Sequence, residues 1–254
     1  MQKEELLTEK RFLELSRLAY SRDIITYSDF LNLNELNILH TLSKAELYTS
    51  FITFGGYDQA ERQMAAFLPD ALYLRGEEPN YPFVIMSVRP LNEKYADDLN
   101  HRDYLGAILN LGIDRSKIGD VLIEEKLAYL FLHSSLQEFL QEELTRIRHT
   151  TVMAVPVSLN AFVYAPRYEE IKGTVASVRL DSLLSLAFSS SRSRLTGLIE
   201  GAKVFVNGRL ITTNSYKVQE GDIISVRGMG KFQYNGVITS TKKNRLMISV
   251  NKYL

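Results

Sequence analysis

Apolar positions at helical spacing open the chain. Leu6, Leu7, Phe12, Leu13, Leu15, Leu18 and Ala19 recur about every three to four residues, which predicts an amphipathic helix. A second helix is expected after Asn34, a good N-cap, running through Leu36, Leu39, Leu42 and Ala45. Phe54-Gly55-Gly56-Tyr57 breaks the pattern. Asp58 then starts an expected helix, QAERQMAAFL, which Pro69 ends. From about Ala71 the period shortens, and Ala71–Arg75 and Phe83–Val88 are short runs rich in strand formers. Asp103 starts the helix YLGAILNLG, closed by Gly112. Asp120–Ile123 and Leu127–Leu132 flank Glu124-Glu125-Lys126 as the arms of a hairpin. Leu136–Ile147 returns to helical spacing, and Val152–Leu159 is a strand. Strand, strand, helix, strand, strand, helix, strand suits a small α+β sandwich with its helices on one sheet face, in a split βαβ arrangement.

A mixed polar stretch from Ala165 to Thr174, with Pro166 and Gly173, separates this region from the last segment. There Arg179-Leu180-Asp181 opens a helix with Leu180, Leu183, Leu184, Ala187 and Phe188 on one face. Ser191 caps a second helix, SRSRLTGLIEG, that ends at Gly201. Lys203–Val206 is a strand, Asn207-Gly208 a strong hairpin turn, and Arg209–Ile211 the return strand. Further strands are expected at Ile223–Val226, Phe232–Thr239 and Leu246–Val250. The expected fold class is therefore α+β, with an N-terminal helical region (1–70), an RNA-recognition-like domain (71–165) and a small C-terminal α+β domain (174–254).

Charge sharpens this division. The chain is neutral overall, yet Gly173–Leu254 holds 12 Lys and Arg against 4 Asp and Glu, a surplus of eight positive charges. Met1–Lys172 carries the compensating excess, 18 basic against 26 acidic residues. A basic domain of this size favours a polyanion, of which RNA and DNA are the usual examples. Cysteine is absent, which removes disulfides, thiolate catalysis and Cys-type zinc sites. No segment approaches the roughly 18 apolar residues that span a bilayer, and the charged start MQKEELLTEKRF has no apolar signal region. A soluble cytoplasmic protein with no membrane contact, metal or cofactor is expected.

The candidate chemistry lies in the basic segment. Arg192 and Arg194 stand in the first turn of a helix, where free N–H groups and the positive dipole end favour phosphate. Arg179, read as one turn into the neighbouring helix, is placed to reach the same anion. Ser191, Ser193, Lys203, Asn207, Gly208 and Arg209 complete the expected RNA-binding set, and Asp181 is better suited to orienting an arginine than to touching RNA. The leucines of both helices are read as core. Asn207-Gly208 also reads as a plain turn, and Lys217, Lys231, Lys242, Lys243 and Arg245 read equally well as solvated residues.

The run RLDSLL…SRSRLTGLIEGAKVFVNGR…VQEGDIISVRGMG resembles the S-four RNA-binding domain. That resemblance implies two helices and a hairpin that grip folded RNA through its backbone. FGGYDQAERQMAAFLPD and HRDYLGAILNLGIDRSKIGDVL, followed by this module at the C-terminus, resemble the bacterial YlmH family over nearly the whole length. The resemblance implies a non-enzymatic RNA-binding protein that acts on the large ribosomal subunit carrying peptidyl-tRNA, in quality control of stalled chains, with structured rRNA or tRNA as partner. The acidity of the middle domain leaves two roles open for it. One is protein binding. The other is RNA contact confined to Gly55–Arg62 and His101–Arg115, with Arg62, Arg102 and Arg115 as secondary residues.

Other patterns are weaker. His101-Arg102-Asp103 looks like a kinase catalytic loop, but the position five after the Asp is Ile108 and no Gly-rich loop or DFG accompanies it. Gly228-Met229-Gly230 lacks the third glycine of a dinucleotide motif. Histidines 40, 101, 133 and 149 are too scattered for a metal site. Two further readings stay in view: an RNA-modifying enzyme of the pseudouridine synthase or methyltransferase type targeted by the same module, and a protein-interaction adaptor linked to cell division. The region before Gly173 shows neither the catalytic domain of a synthase nor the Gly-rich turn of a methyltransferase.

Overall fold

The computed structural model describes residues 3–42, 45–74, 76, 78–159, 162, 164, 167–241 and 245–253, with the backbone alone for Lys3, Tyr73 and Arg192. The chain divides into two compact units, Met1–Val163 and Tyr164–Leu254.

The first unit begins with α1 (Lys3–Arg22), β1 (Thr26–Tyr27), α2 (Leu33–Thr41), β2 (Ser50–Phe54), β3 (Met64–Leu68) and α3 (Asp70–Leu74). The cap of α2 is Asn32, two residues before the expected Asn34. Its Oδ1 accepts from the Asn34 and Glu35 amides, and Glu35 Oε2 accepts from the Asn32 amide at 2.7 Å, a reciprocal capping box. The three strands form an antiparallel sheet in the order β1-β3-β2. Phe12, Leu15 and Ala19 of α1 and Leu36 and Leu39 of α2 pack on Ala65 and Phe67 of β3.

Two expectations fail here. The end of QAERQMAAFL is a strand, because Met64–Leu68 is central in its sheet and buried at every position. A short run buried on both faces has no period to separate strand from helix. Conversely, Ala71–Leu74, expected as strand, belongs to α3, and Arg75 lies outside the described residues.

The rest of this unit comprises β4 (Phe83–Pro90), α4 (His101–Asn110), β5 (Ile118–Glu124), β6 (Leu127–His133), α5 (Gln137–Glu143), β7 (Arg146–Ile147) and β8 (Thr150–Val157). The single helix expected over Leu136–Ile147 instead ends at Glu143, and the chain turns into β7. The sheet order is β5-β6-β4-β8-β7, antiparallel throughout. Leaving aside short β7, the succession β4-α4-β5-β6-α5-β8 is the split βαβ topology. Met86, Val88, Leu130 and Leu132 meet Tyr104, Ile108 and Leu140 of the helices on one face. On the other face Phe83, Ile85 and Phe131 meet Phe30 and Met64 from the N-terminal part. At roughly 1.5–3 kcal/mol for each fully buried large apolar side chain, these two layers supply most of the unit's cohesion.

The second unit comprises β9 (Tyr168–Val175), α6 (Leu180–Phe188), α7 (Arg192–Glu200), β10 (Val204–Val206), β11 (Arg209–Leu210), β12 (Ile223–Val226), β13 (Gly230–Ser240) and β14 (Leu246–Tyr253). They form an antiparallel sheet in the order β11-β10-β12-β13-β14-β9. The apolar helix positions expected to be core are core: Leu180, Leu183, Leu184, Leu195 and Ile199 pack on Val204, Ile224, Phe232, Ile248 and Val250. The polar stretch expected to be a linker is largely β9. Its Glu169, Glu170 and Lys172 mark it as an edge strand, a position where charge guards against unwanted pairing.

Candidate nucleic-acid interface

The α6–α7 pair sets the arginines. Arg179 is the N-cap residue of α6, and its guanidinium forks onto Asp181, with Nε to Oδ1 at 3.1 Å and Nη2 to Oδ2 at 3.2 Å. Asp181 also accepts from the Ser182 amide at 3.0 Å, so the carboxylate is itself anchored. The Arg179 side chain remains 43% exposed, whereas Asp181 is 12% exposed. Arg179 is thus held in one orientation with nearly half its surface open, which lowers the entropy lost on meeting a phosphate.

The start of α6 offers no open amides. The Leu180 amide donates to Tyr216 O at 2.9 Å and the Asp181 amide to Asn214 O at 3.3 Å. The start of α7 differs. Ser191 is its N-cap residue but makes no side-chain capping bond, and the first amide returned to it is that of Leu195, at 3.2 Å. Ser191 and Ser193 share a hydroxyl contact at 3.3 Å, and Ser193 and Arg194 are exposed. The Arg192 side chain lies outside the described residues. The nine residues of α6 span roughly 13 Å between Arg179 and this turn. The backbone of Arg179 and that of the α7 start thus stand at opposite ends of α6.

The hairpin resolves as a turn carrying charge. Asn207 and Gly208 both have positive φ, 48° and 78°. Asn207 Nδ2 donates to Asp222 Oδ1 at 2.8 Å, and its Oδ1 accepts from the Ile223 amide at 2.9 Å. Its polar atoms serve the turn. Lys203 and Arg209 are exposed on either side. Two basic neighbours join the set. Lys217 pairs with Arg179 through an antiparallel bridge, and Arg227 donates its amide to Lys203 O at 2.9 Å. No spacing rule marks either one in the sequence, because the loop after β11 and the β10–β12 pairing bring them there. Arg245 instead donates to Thr174 O at 2.9 Å within the sheet, and Lys242 and Lys243 lie outside the described residues.

The expected secondary contacts are occupied differently. Arg62 donates through Nε to Ile118 O at 2.9 Å and through Nη2 to Phe30 O at 2.8 Å and Arg115 O at 3.2 Å. Arg115 Nη1 donates to Ile118 O at 2.6 Å. Burial lowers the pKa of both, and that of Arg115, with Arg62 close by, falls to about 10. Asp120 closes the same seam, accepting from Tyr57 Oη at 2.7 Å and from the Glu61 and Arg62 amides at 2.7 and 3.1 Å. Gly55 and Gly56 also serve packing. A Cβ on Gly55 would collide with Arg62 O, and one on Gly56, at φ +99°, with the Phe131 ring. The FGGYDQAER segment thus fastens the N-terminal part to the split βαβ sheet. Arg102 alone of the three stays on the surface, in the first turn of α4, whose cap is Asn100 with Asp103 as its capping-box partner.

The sheet face that RNA-recognition folds commonly use for stacking is also filled. Phe83 and Phe131, on the adjacent central strands, are 9% and 0% exposed. Phe30, Phe54, Tyr57 and Phe162 lie in ring contact over them. Among the described residues, no group of three or more His, Cys, Asp or Glu side chains is placed to hold a metal, and no helix is long and apolar enough to cross a membrane.

Comparison with known proteins follows the same division. Residues 77–161 match the family model described as "Putative RNA-binding domain in YlmH", and residues 178–224 match the S4 domain. The chain is 29% identical over 245 residues to ribosome-associated protein quality control protein P2 of Bacillus subtilis, which covers 94% of this chain and 92% of that protein. Small ribosomal subunit protein uS4 of Kosmotoga olearia is 37% identical over 75 residues, 28% of this chain and 36% of that protein. Among solved structures, cell division protein ylmH from Streptococcus pneumoniae superposes with a TM-score of 0.50 at 18% identity, over 63% of this chain and 94% of that one, a likeness of fold. This chain thus carries the putative RNA-binding domain described in YlmH, followed in sequence by an S4 domain, and is similar over nearly its whole length to a ribosome-associated quality control protein.

Proposed function

We propose that this protein is a non-catalytic RNA-binding factor of the ribosome, which grips folded rRNA or tRNA through phosphates on the α6–α7 pair and the β10–β11 hairpin. The observation that carries the reading is the pre-oriented, half-open Arg179 on a unit rich in uncompensated basic residues. Contacts of this kind read the shape of folded RNA rather than base identity, as expected for A-form helices with inaccessible major grooves. The name of the Bacillus subtilis relative supports ribosome association and a quality-control setting. Within that setting, the large subunit carrying peptidyl-tRNA is the proposed target, on the resemblance to the family.

Binding to ribosomal RNA across a salt series tests this. Replacing Arg179, Arg192 and Arg194 together by Ala is expected to weaken binding and to flatten the slope of log affinity against log salt by roughly 2–3, at about 0.7–0.9 for each phosphate no longer neutralised. A folded variant with an unchanged slope would refute the assignment.

A further inference from the structure

Helices cover one face of the C-terminal sheet, and the other face carries a second track. Val204, Val226, Phe232 and Val250 lie under α6 and α7. Alternation along each strand therefore turns Phe205, Ser225 and Lys231 to the opposite face. The register aligns them across the sheet, Phe205 with Ser225 and Ser225 with Lys231. Lys231 Nζ lies over the Tyr253 ring at 5.4 Å, and Tyr253 pairs with Tyr168 on β9, which is 52% exposed. At the β10 end the exposed Arg227 guanidinium lies 5.2 Å over the Phe205 ring, beside Lys203. Phe205 itself is buried, so the guanidinium rather than the ring meets solvent there. From β10 to β9 the row crosses four strand spacings, roughly 19 Å at about 4.8 Å each.

We propose that this outer sheet face is a second RNA site, one that takes an unpaired strand, with bases stacking on Tyr168 and Tyr253 and phosphates meeting Arg227, Lys203 and Lys231. Charge complementarity favours RNA as the occupant. The row carries cations braced on aromatic rings, the usual means of holding single strands without regard to sequence. Glu170, two residues from Tyr168 on β9, is engaged by Ser249 Oγ at 2.8 Å and Lys172 Nζ at 3.0 Å. The site goes beyond the reading above. It uses the sheet face turned away from the helix pair, where Phe205 and Ser225 are buried while Lys203, Arg227 and Tyr168 are exposed, and β9, β13 and β14 lie outside the residues that match the S4 domain.

The full chain is titrated with two probes, a short oligouridine and an RNA hairpin. The double variant Lys231→Gln with Tyr168→Leu is expected to lose about tenfold in oligouridine affinity and to keep hairpin affinity within about twofold. Photo-crosslinking of the unaltered protein to thiouridine-substituted oligouridine is expected to label peptides of β9 or β14. Unchanged oligouridine binding by the folded double variant, or labels confined to α6 and α7, overturns the second site and leaves the helix-face reading standing. Failure of that other reading shows separately, as hairpin binding insensitive to loss of Arg179, Arg192 and Arg194.

Discussion

Replacing Asp120 by Ala separates a structural role for the FGGYDQAER segment from an RNA-binding one. Asp120 accepts three hydrogen bonds, from the Tyr57 hydroxyl and from the Glu61 and Arg62 amides. Bonds to an ionised acceptor contribute about 1.5–3 kcal/mol each, which gives an upper figure near 5–9 kcal/mol. The Glu61 end of the seam is open to solvent, so water replaces part of what is removed, and roughly 2–4 kcal/mol is the reasonable cost. For a unit of this size that corresponds to a fall in Tm of about 5–15 °C. Circular dichroism measures the shift, and hydrogen exchange in peptides spanning β3 and β6 locates it. RNA affinity and its salt slope, measured well below the transition, should match the parent protein. A Tm within about 2 °C of the parent would show that the seam holds little. Diminished RNA affinity in a folded variant would return this segment to the interface.

Three further outcomes follow from the same geometry. Gly56→Ala forces a side chain into a positive-φ position and into the Phe131 ring, and should cost roughly 2–4 kcal/mol in denaturant unfolding, an effect absent if the loop simply swings away. Asn207→Ala should cost about 2 kcal/mol, from a left-handed backbone and the removal of two side-chain bonds, while Asn207→Gly should recover the backbone share; a changed salt slope of RNA binding would instead make Asn207 a contact residue. Burial lowers the pKa of His101, beside Arg115, and of His133, beside Lys117. The unfolded chain then binds protons at a higher pH than the folded one, so the stability that both groups contribute above pH 6.5 is lost as pH falls below it, and unfolding midpoints across that range should decline.

The sequence was most legible where an element buries one face. Helices α4, α6 and α7, the β5–β6 hairpin and the Asn207-Gly208 turn all carry a period or a turn signal that survives folding. Met64–Leu68 was opaque because both of its faces are covered, and β9 because its charges read as linker. Arg179 was found as a helix-start arginine, but its distance from the start of α7 depends on the course of α6. Arg62 and Arg115 looked like surface cations. Only tertiary structure shows their donors spent on the carbonyls of Phe30, Arg115 and Ile118, residues remote from Arg62 in sequence.

This distribution of arginines bears on how the two units divide their labour. In the first unit Arg62 and Arg115 bond to backbone carbonyls, Lys117 pairs with Asp29, Lys126 holds Glu93 O, and Arg148 holds Asp103 at 2.7 Å. These cations brace the unit, while its acidic excess remains. Its split βαβ sheet keeps the topology of an RNA-recognition fold, but the aromatics on its central strands are sealed by its own N-terminal part. Topology alone therefore does not license stacking of bases on that sheet, since function follows the exposed site rather than the fold. The second unit holds the opposite balance: basic residues in excess, with Arg179 oriented by Asp181 and Arg227 by Phe205. An RNA approaching the protein meets repulsion from one unit and braced cations on the other. The sign of the field thus selects the C-terminal unit before any contact forms, and raising the ionic strength should erode that selection along with the affinity.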